Sequence, residues 1–233
     1  MNKENILFGT IGLLLGLIVG FMFANSVNRS SAPQIGSQLN QTANVPEGHP
    51  EVTGNNPTQA QMANAPEVQA AIEQAKKEPD NFEAQLKAAE FYYQIQQYDG
   101  AIEFLKQANK LQPENYEVIV HLGNANFDSS KFEEAEKWYL AALGKKANDV
   151  NVRTDLGLTF IFRDPPNYDR AIQEFTKSLE TDPNHTQTIQ NLIVAYTRKG
   201  DAENANATLA KLESLDSTNT AIPKLREDIQ KIK

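Results

Sequence analysis

One spacing governs this sequence. Pro79, Pro113 and Pro183 each close a stretch of helix-like apolar periodicity, in Lys76–Asn81, Lys110–Asn115 and Glu180–His185. Pro79 to Pro113 is 34 residues, and another 34 lead to Ala147. The next step, to Pro183, is 36, and a further 34 lead to Ser217. A period of this length holds two helices and two turns. A lone helix pair cannot bury its apolar faces, so such units must stack into a solenoid.

Each unit carries the same ladder of side-chain sizes. The first has Ala88, Ala89, Tyr92, Ala101, Leu105 and Ala108. The second has Leu122, Gly123, Ala135, Tyr139 and Ala142; the third has Leu156, Gly157, Phe160, Ala171, Phe175 and Ser178. The fourth has Leu192, Ile193, Tyr196, Ala205, Leu209 and Leu212. Two antiparallel helices cross closely only where small residues meet, with bulky side chains filling the space around the crossing. Ala89, Gly123 and Gly157 supply one side of it, and Ala101, Ala135, Ala171 and Ala205 the other. A proline after the second helix prevents its continuation.

The run large-x-x-Leu-Gly-x-x-aromatic, then Ala-x-x-x-aromatic, then Pro, resembles the tetratricopeptide repeat (TPR) family. The resemblance implies an all-α, right-handed helical solenoid of about four helix pairs. The units span 82–115, 116–149, 150–185 and 186–219. Departures are Asn126 for the usual aromatic, Ala147 and Ser217 for proline, and the large Ile193 and Leu212. The turn Arg163-Asp164-Pro165-Pro166-Asn167 accounts for the longer step. Two flanking helices are expected. Segment 64–81 places Val68, Ala71, Ile72 and Ala75 on one face; segment 220–233 places Ile222, Leu225, Ile229 and Ile232 in register opposite a charged face suited to a solenoid cap.

The N-terminus is of another kind. Ile6 to Ala24 is 19 residues without a charge. As a helix this run is roughly 28 Å long, near the thickness of a bilayer core. It is longer than the apolar core of a cleaved signal peptide, although Ala24-Asn25-Ser26 leaves cleavage open. Residues 1–24 are therefore expected to form a transmembrane anchor, with residues 6–24 in the lipid. Lys3 precedes the run, and no Lys or Arg appears between Ser30 and Ala63. This pattern fits a single-pass protein with a cytoplasmic N-terminus and an extracytoplasmic, periplasmic repeat domain. A tail kept in the cytoplasm is the alternative. Gly12, Gly16 and Gly20 fall every fourth residue, a stripe on which two such helices can approach and self-associate. Residues 25–63 are rich in Asn, Gln, Ser, Thr and Pro and lack periodicity, which reads as a disordered linker.

Chemistry is sparse. The chain has no cysteine, and its three histidines, His49, His121 and His185, form no metal-binding pair on a helix face. No phosphate-cradling glycine loop or nucleophile elbow occurs. The reading is a non-enzyme with no cofactor and no metal. The net charge of −8 argues against nucleic acid. What remains is protein binding. In the family that this chain resembles, the first helix of each pair lines the inner curve. There Tyr93, Phe127 and Ile161 recur at one repeat spacing, with Phe162 beside the last and Glu90, Asn124 and His121 nearby. An apolar stripe with polar edges suits a protein or peptide segment. The same residues also fit plain packing between units. The lysine-and-asparagine clamp for acidic C-termini is not evident, because Glu90, Asp128 and Asp155 stand on these helices instead. Two functions stay open: a membrane-tethered scaffold, or an assembly or accessory factor of an envelope enzyme system such as cytochrome c-type biogenesis. The second rests on resemblance in layout only.

Overall fold

The computed structural model describes residues 63–232. The expected anchor with its Gly12, Gly16 and Gly20 stripe, and the expected linker up to residue 62, lie outside them. The described residues are all helical, with no strand among them. Ten helices follow one another: α1 (Pro66–Lys77), α2 (Phe82–Gln94), α3 (Tyr98–Leu111), α4 (Tyr116–Asp128), α5 (Phe132–Lys145), α6 (Val150–Phe162), α7 (Tyr168–Thr181), α8 (Thr186–Lys199), α9 (Ala202–Leu215) and α10 (Ile222–Gln230). The pairs α2/α3, α4/α5, α6/α7 and α8/α9 pack most closely, and each pair leans on the next. Helices α1 and α10 cover the two ends. No helix among the described residues is long and apolar enough to cross a membrane.

The helix starts repeat in phase because their caps do. Asn81, Asn115, Asp149 and His185 stand just before α2, α4, α6 and α8, and each side chain accepts from a backbone N–H in the first turn. Such caps satisfy amide donors that a helix cannot pair internally. The turn inside each unit is equally regular. The N–H of Gln97, Lys131 and Asp201 donates back to the carbonyl of Tyr92, Asn126 and Tyr196, at 2.9, 2.8 and 2.9 Å. Gln96, Ser130 and Gly200 take the left-handed conformation that this closure needs. In the third unit Asn167 donates to Phe160 at 2.7 Å, the same acceptor position. The two extra residues of the Arg163–Asn167 turn are therefore looped out without disturbing the stack.

The crossing of each pair is closed by a small residue against a large one. A Cβ on Gly123 would lie 2.5 Å from the Tyr139 ring, and one on Gly157 would lie 2.4 Å from the Phe175 ring. Both rings are almost wholly buried, at 1% and 0% exposure. The fourth unit solves the same problem otherwise. Ile193 and Leu209 share a core cluster, so a larger residue on α8 meets a smaller one on α9. This explains the departure noted at Ile193. Leu212 likewise meets the cap residues Ile222, Leu225 and Ile229. Three apolar clusters result, and they are continuous: Trp138 touches the first and second, Leu179 and Tyr196 the second and third.

Polar groups inside the stack are matched. The hydroxyl of Thr154 lies 2.6 Å from that of Thr188 and 3.1 Å from that of Ser178, joining α6, α7 and α8. Glu174, 1% exposed, is reached by Arg153, Arg170 and Lys177 at 3.0, 3.1 and 3.4 Å. A buried carboxylate is tolerated when it is paired in this way.

Gly123→Leu should destabilise the fold by about 1–3 kcal/mol through overpacking against Tyr139. Gly123→Ile combined with Tyr139→Leu, which copies the fourth unit, should recover part of that loss. Chemical denaturation of the single and double variants checks both, and additive losses would refute the size exchange.

Candidate functional site

The first helices form the inner layer. Helix α6 is buried at nine of its 13 positions, whereas the second helices keep broad exposed faces. Successive first helices also approach one another directly, α6 against α8. Residues spaced i, i+4, i+7 and i+11 on these helices lie in one line. On α4 the line is Glu117, His121, Asn124 and Asp128; on α6 it is Asn151, Asp155, Leu158 and Phe162. On α8 it is Gln187, Asn191, Val194 and Arg198. Phe162 is 38% exposed, and Asp155 lies two turns below it on the same line.

The upper edge of this face is aromatic. Tyr93 meets Tyr98 edge-on at 5.4 Å, and one unit later Phe127 meets Phe132 edge-on at 5.4 Å. Phe162 continues the series, edge-on to Phe127 at 5.9 Å and stacked near Phe132 at 6.3 Å. The Arg198 guanidinium sits 5.6 Å above the Phe162 ring. Offset and edge-on ring contacts of this kind are favourable, as is a cation over a ring face.

Below the rings the face is polar and acidic. The Tyr93 hydroxyl donates to the Asp128 carboxylate across the unit boundary. The Tyr139 hydroxyl donates to Asn124 Oδ1 at 2.9 Å. Asp128 is exposed, yet the mass of the surrounding wall pushes its carboxyl pKa up; the Tyr93 hydrogen bond acts in the opposite direction. Asp155 is 6% exposed. Burial raises its carboxyl well above the ordinary range, and the charges of Asp128 and Asp149 add to this. Glu90 is partly buried and is raised mainly by burial, with Lys87 as a weaker counterweight. One of its carboxylate oxygens is enclosed without a hydrogen bond among the described residues. His121 supplies no compensating charge at neutral pH, because burial pushes its pKa down to about 4.

The seven residues expected at the inner face thus take different places. Ile161 is 3% exposed and belongs to the central core. Asn124, 5% exposed, is a buried hydrogen-bond acceptor for Tyr139. Phe127 and Tyr93 are partly buried, Phe162 is exposed, and Glu90 and His121 are partly buried. Sequence reasoning did not place Tyr98, Phe132 or Arg198 here. A signal existed: Tyr98, Phe132 and Tyr168 recur in repeat phase at the start of the first three second helices, while the fourth starts at Ala202. No group of three or more His, Cys, Asp or Glu is arranged to hold a metal among the described residues.

The decisive comparison is with repeat families. Residues 65–116 and 96–154 match two models of the tetratricopeptide repeat. The chain carries tetratricopeptide repeats. Solved structures agree with its fold. MamA is similar at 25% identity and a TM-score of 0.59, over 69% of this chain and 91% of that one. MamA from Desulfovibrio magneticus is similar at 19% identity and 0.59, over 66% and 85%. YrrB, described as a TPR protein with an unusual peptide-binding site, is similar at 18% identity and 0.60, over 72% and 88%. No curated protein matches the sequence. In TPR terms, the inner stripe of this chain is aromatic above and acidic below.

Asp155→Asn should raise the melting temperature at pH 7. Folding raises this carboxyl above its ordinary 3.8, so its contribution to stability is complete below 3.8 and is lost as pH rises through the folded value. The gain from the substitution should therefore shrink as pH falls through the folded value and vanish below 3.8. Thermal melts of both proteins across pH 3–8 check this, and an equal gain at every pH would refute it.

Proposed function

We propose that this chain is a membrane-tethered TPR scaffold that holds segments of other proteins along the inner face of its stack, and that it is not an enzyme. The stack acts as a right-handed superhelix whose first helices line the groove. The observation that carries the reading is the rim of Tyr93, Tyr98, Phe127, Phe132 and Phe162, ending on an exposed ring under Arg198. Partly exposed aromatics beside polar groups are the side chains that anchor peptides. The fold shared with YrrB, a peptide-binding TPR protein, adds support at the level of architecture.

The tether belongs to the same reading. Ile6–Ala24 would hold the chain in a bilayer, with its head in the cytoplasm and its repeats on the extracytoplasmic side. The linker of residues 25–63, treated as a flexible coil, gives an r.m.s. reach of roughly 35 Å. The repeats would sample a volume well clear of the lipid. The glycine stripe of the anchor would let two copies pair. Service to an envelope enzyme system remains the narrower reading, to be separated from a general scaffold by whether one complex dominates what the chain captures.

Phe162→Ala and Tyr93→Ala should lower capture of partners from native membranes by about tenfold, as loss of an anchoring aromatic does. Phe162→Ala should leave the melting temperature nearly unchanged, since its ring is already 38% exposed. Unchanged capture in both variants would end the groove reading. Protease added to intact spheroplasts should remove the repeats and leave a short membrane fragment. Protection of the repeats would place them in the cytoplasm.

A further inference from the structure

Several carboxylates outside the groove have cations beside them, and unpaired ones such as Glu83, Glu103 and Glu203 are exposed to water. Glu73 pairs with Lys77, Asp99 with Lys131, Glu136 with Arg163, Asp169 with Lys199 and Glu213 with Arg226. Even the buried Glu174 holds three. The inner face differs. Among the described residues, neither Asp128 nor Asp155 has an ion pair, and Asp155 accepts no hydrogen bond. Asp155 is also only 6% exposed, so little water stands in for a partner. Its position two helical turns below the exposed Phe162 directs it to the groove and away from the interior of the pair. Asp128 and Asp155 lie close enough to repel each other, and the phenols of Tyr93 and Tyr139 crowd the same space.

An acidic site of this kind, walled by rings, is complementary to an organic cation. Two carboxylates offer hydrogen-bond acceptors to an ammonium or guanidinium group. The rings of Phe127, Phe132 and Phe162 offer apolar contact to the segment that carries it. The groove's own cations stand at its two ends, Lys87 on α2 and Arg198 on α8, and leave the middle negative.

We propose that the middle of the groove seats a lysine or arginine side chain of a bound peptide segment against Asp155 and Asp128, with the segment's adjacent apolar residue on the Phe127, Phe132 and Phe162 rings. The inference rests on the peptide-groove reading and adds the class of ligand. The segment sought is basic and apolar, the opposite of the acidic C-termini that a lysine-lined groove would take.

The test uses the full-length chain in detergent and an immobilised library of 12-residue peptides, randomised except at one central position. Wild type should enrich central Lys and Arg over norleucine and Glu by about tenfold, the effect of one charge-assisted contact. Asp155→Asn and Asp128→Asn, each checked by its melting curve, should abolish that enrichment while still retaining apolar peptides. A second readout is the Asp155 carboxyl resonance, whose titration midpoint should fall on adding an enriched peptide and stay in place with its norleucine counterpart. Peptides retained without Lys or Arg enrichment, or with enrichment unchanged in both variants, would overturn the cation seat and leave the groove intact. Retention of no peptide by wild type would overturn both readings.

Discussion

The fold depends on how closely two helices within a unit can approach. Gly123 and Gly157 have no side chain because the faces of Tyr139 and Phe175 occupy the place where a Cβ would be. That contact sets the spacing of α4 from α5 and of α6 from α7. It also turns the rings inward, where they are fully enclosed. The fourth unit shows that total volume is conserved and residue identity is not, since Ile193 faces Leu209 there. Interiors at crystal-like density tolerate such exchanges when the sum is kept. Once the pairs have this geometry, the recurring caps and turn closures stack them in step, and the looped-out residues after Phe162 leave the step unchanged.

Stacking then sorts charge. Outer helices are free to place lysines beside acids, and they do so along the whole length of the stack. Inner helices are crowded on several sides, so an acidic residue there loses water without gaining a cation. Asp155 is in that position, and the partly buried Glu90 has only Lys87 as a weak counterweight. Native interiors pair or hydrate their charges as a rule, and an exception is a place where a ligand can supply what the fold does not. The same crowding keeps His121 neutral at pH 7. The middle of the inner face is thus acidic, with Lys87 and Arg198 only at its ends.

Much of the architecture was legible in the residues. The 34-residue phase, the alternation of small and large positions, and the flanking amphipathic segments predict ten helices in paired order. Glu90, Asp128 and Asp155 could be assigned to inner helices by counting along the repeat. The rings at Tyr98 and Phe132 were less legible, because they stand at the start of second helices, which sequence reasoning assigns to the outer layer. The internal turn brings them back over Tyr93 and Phe127.

What the sequence determined by itself was local or periodic: the repeat length, the breaks between units, and which positions in the first three units must be small. These follow from contacts within one unit, whose spacing along the chain is visible. What only the tertiary structure decided was the environment of each inner residue. Ile161 is closed into the core while Phe162 beside it is open, and one turn of helix separates the bonded Asn124 from Asp128 at the rim. Burial and hydrogen bonding of that kind come from neighbours distant in sequence, 15 residues away for Asn124 and 35 for Asp128, and no local pattern records how the facing helix will lie upon them.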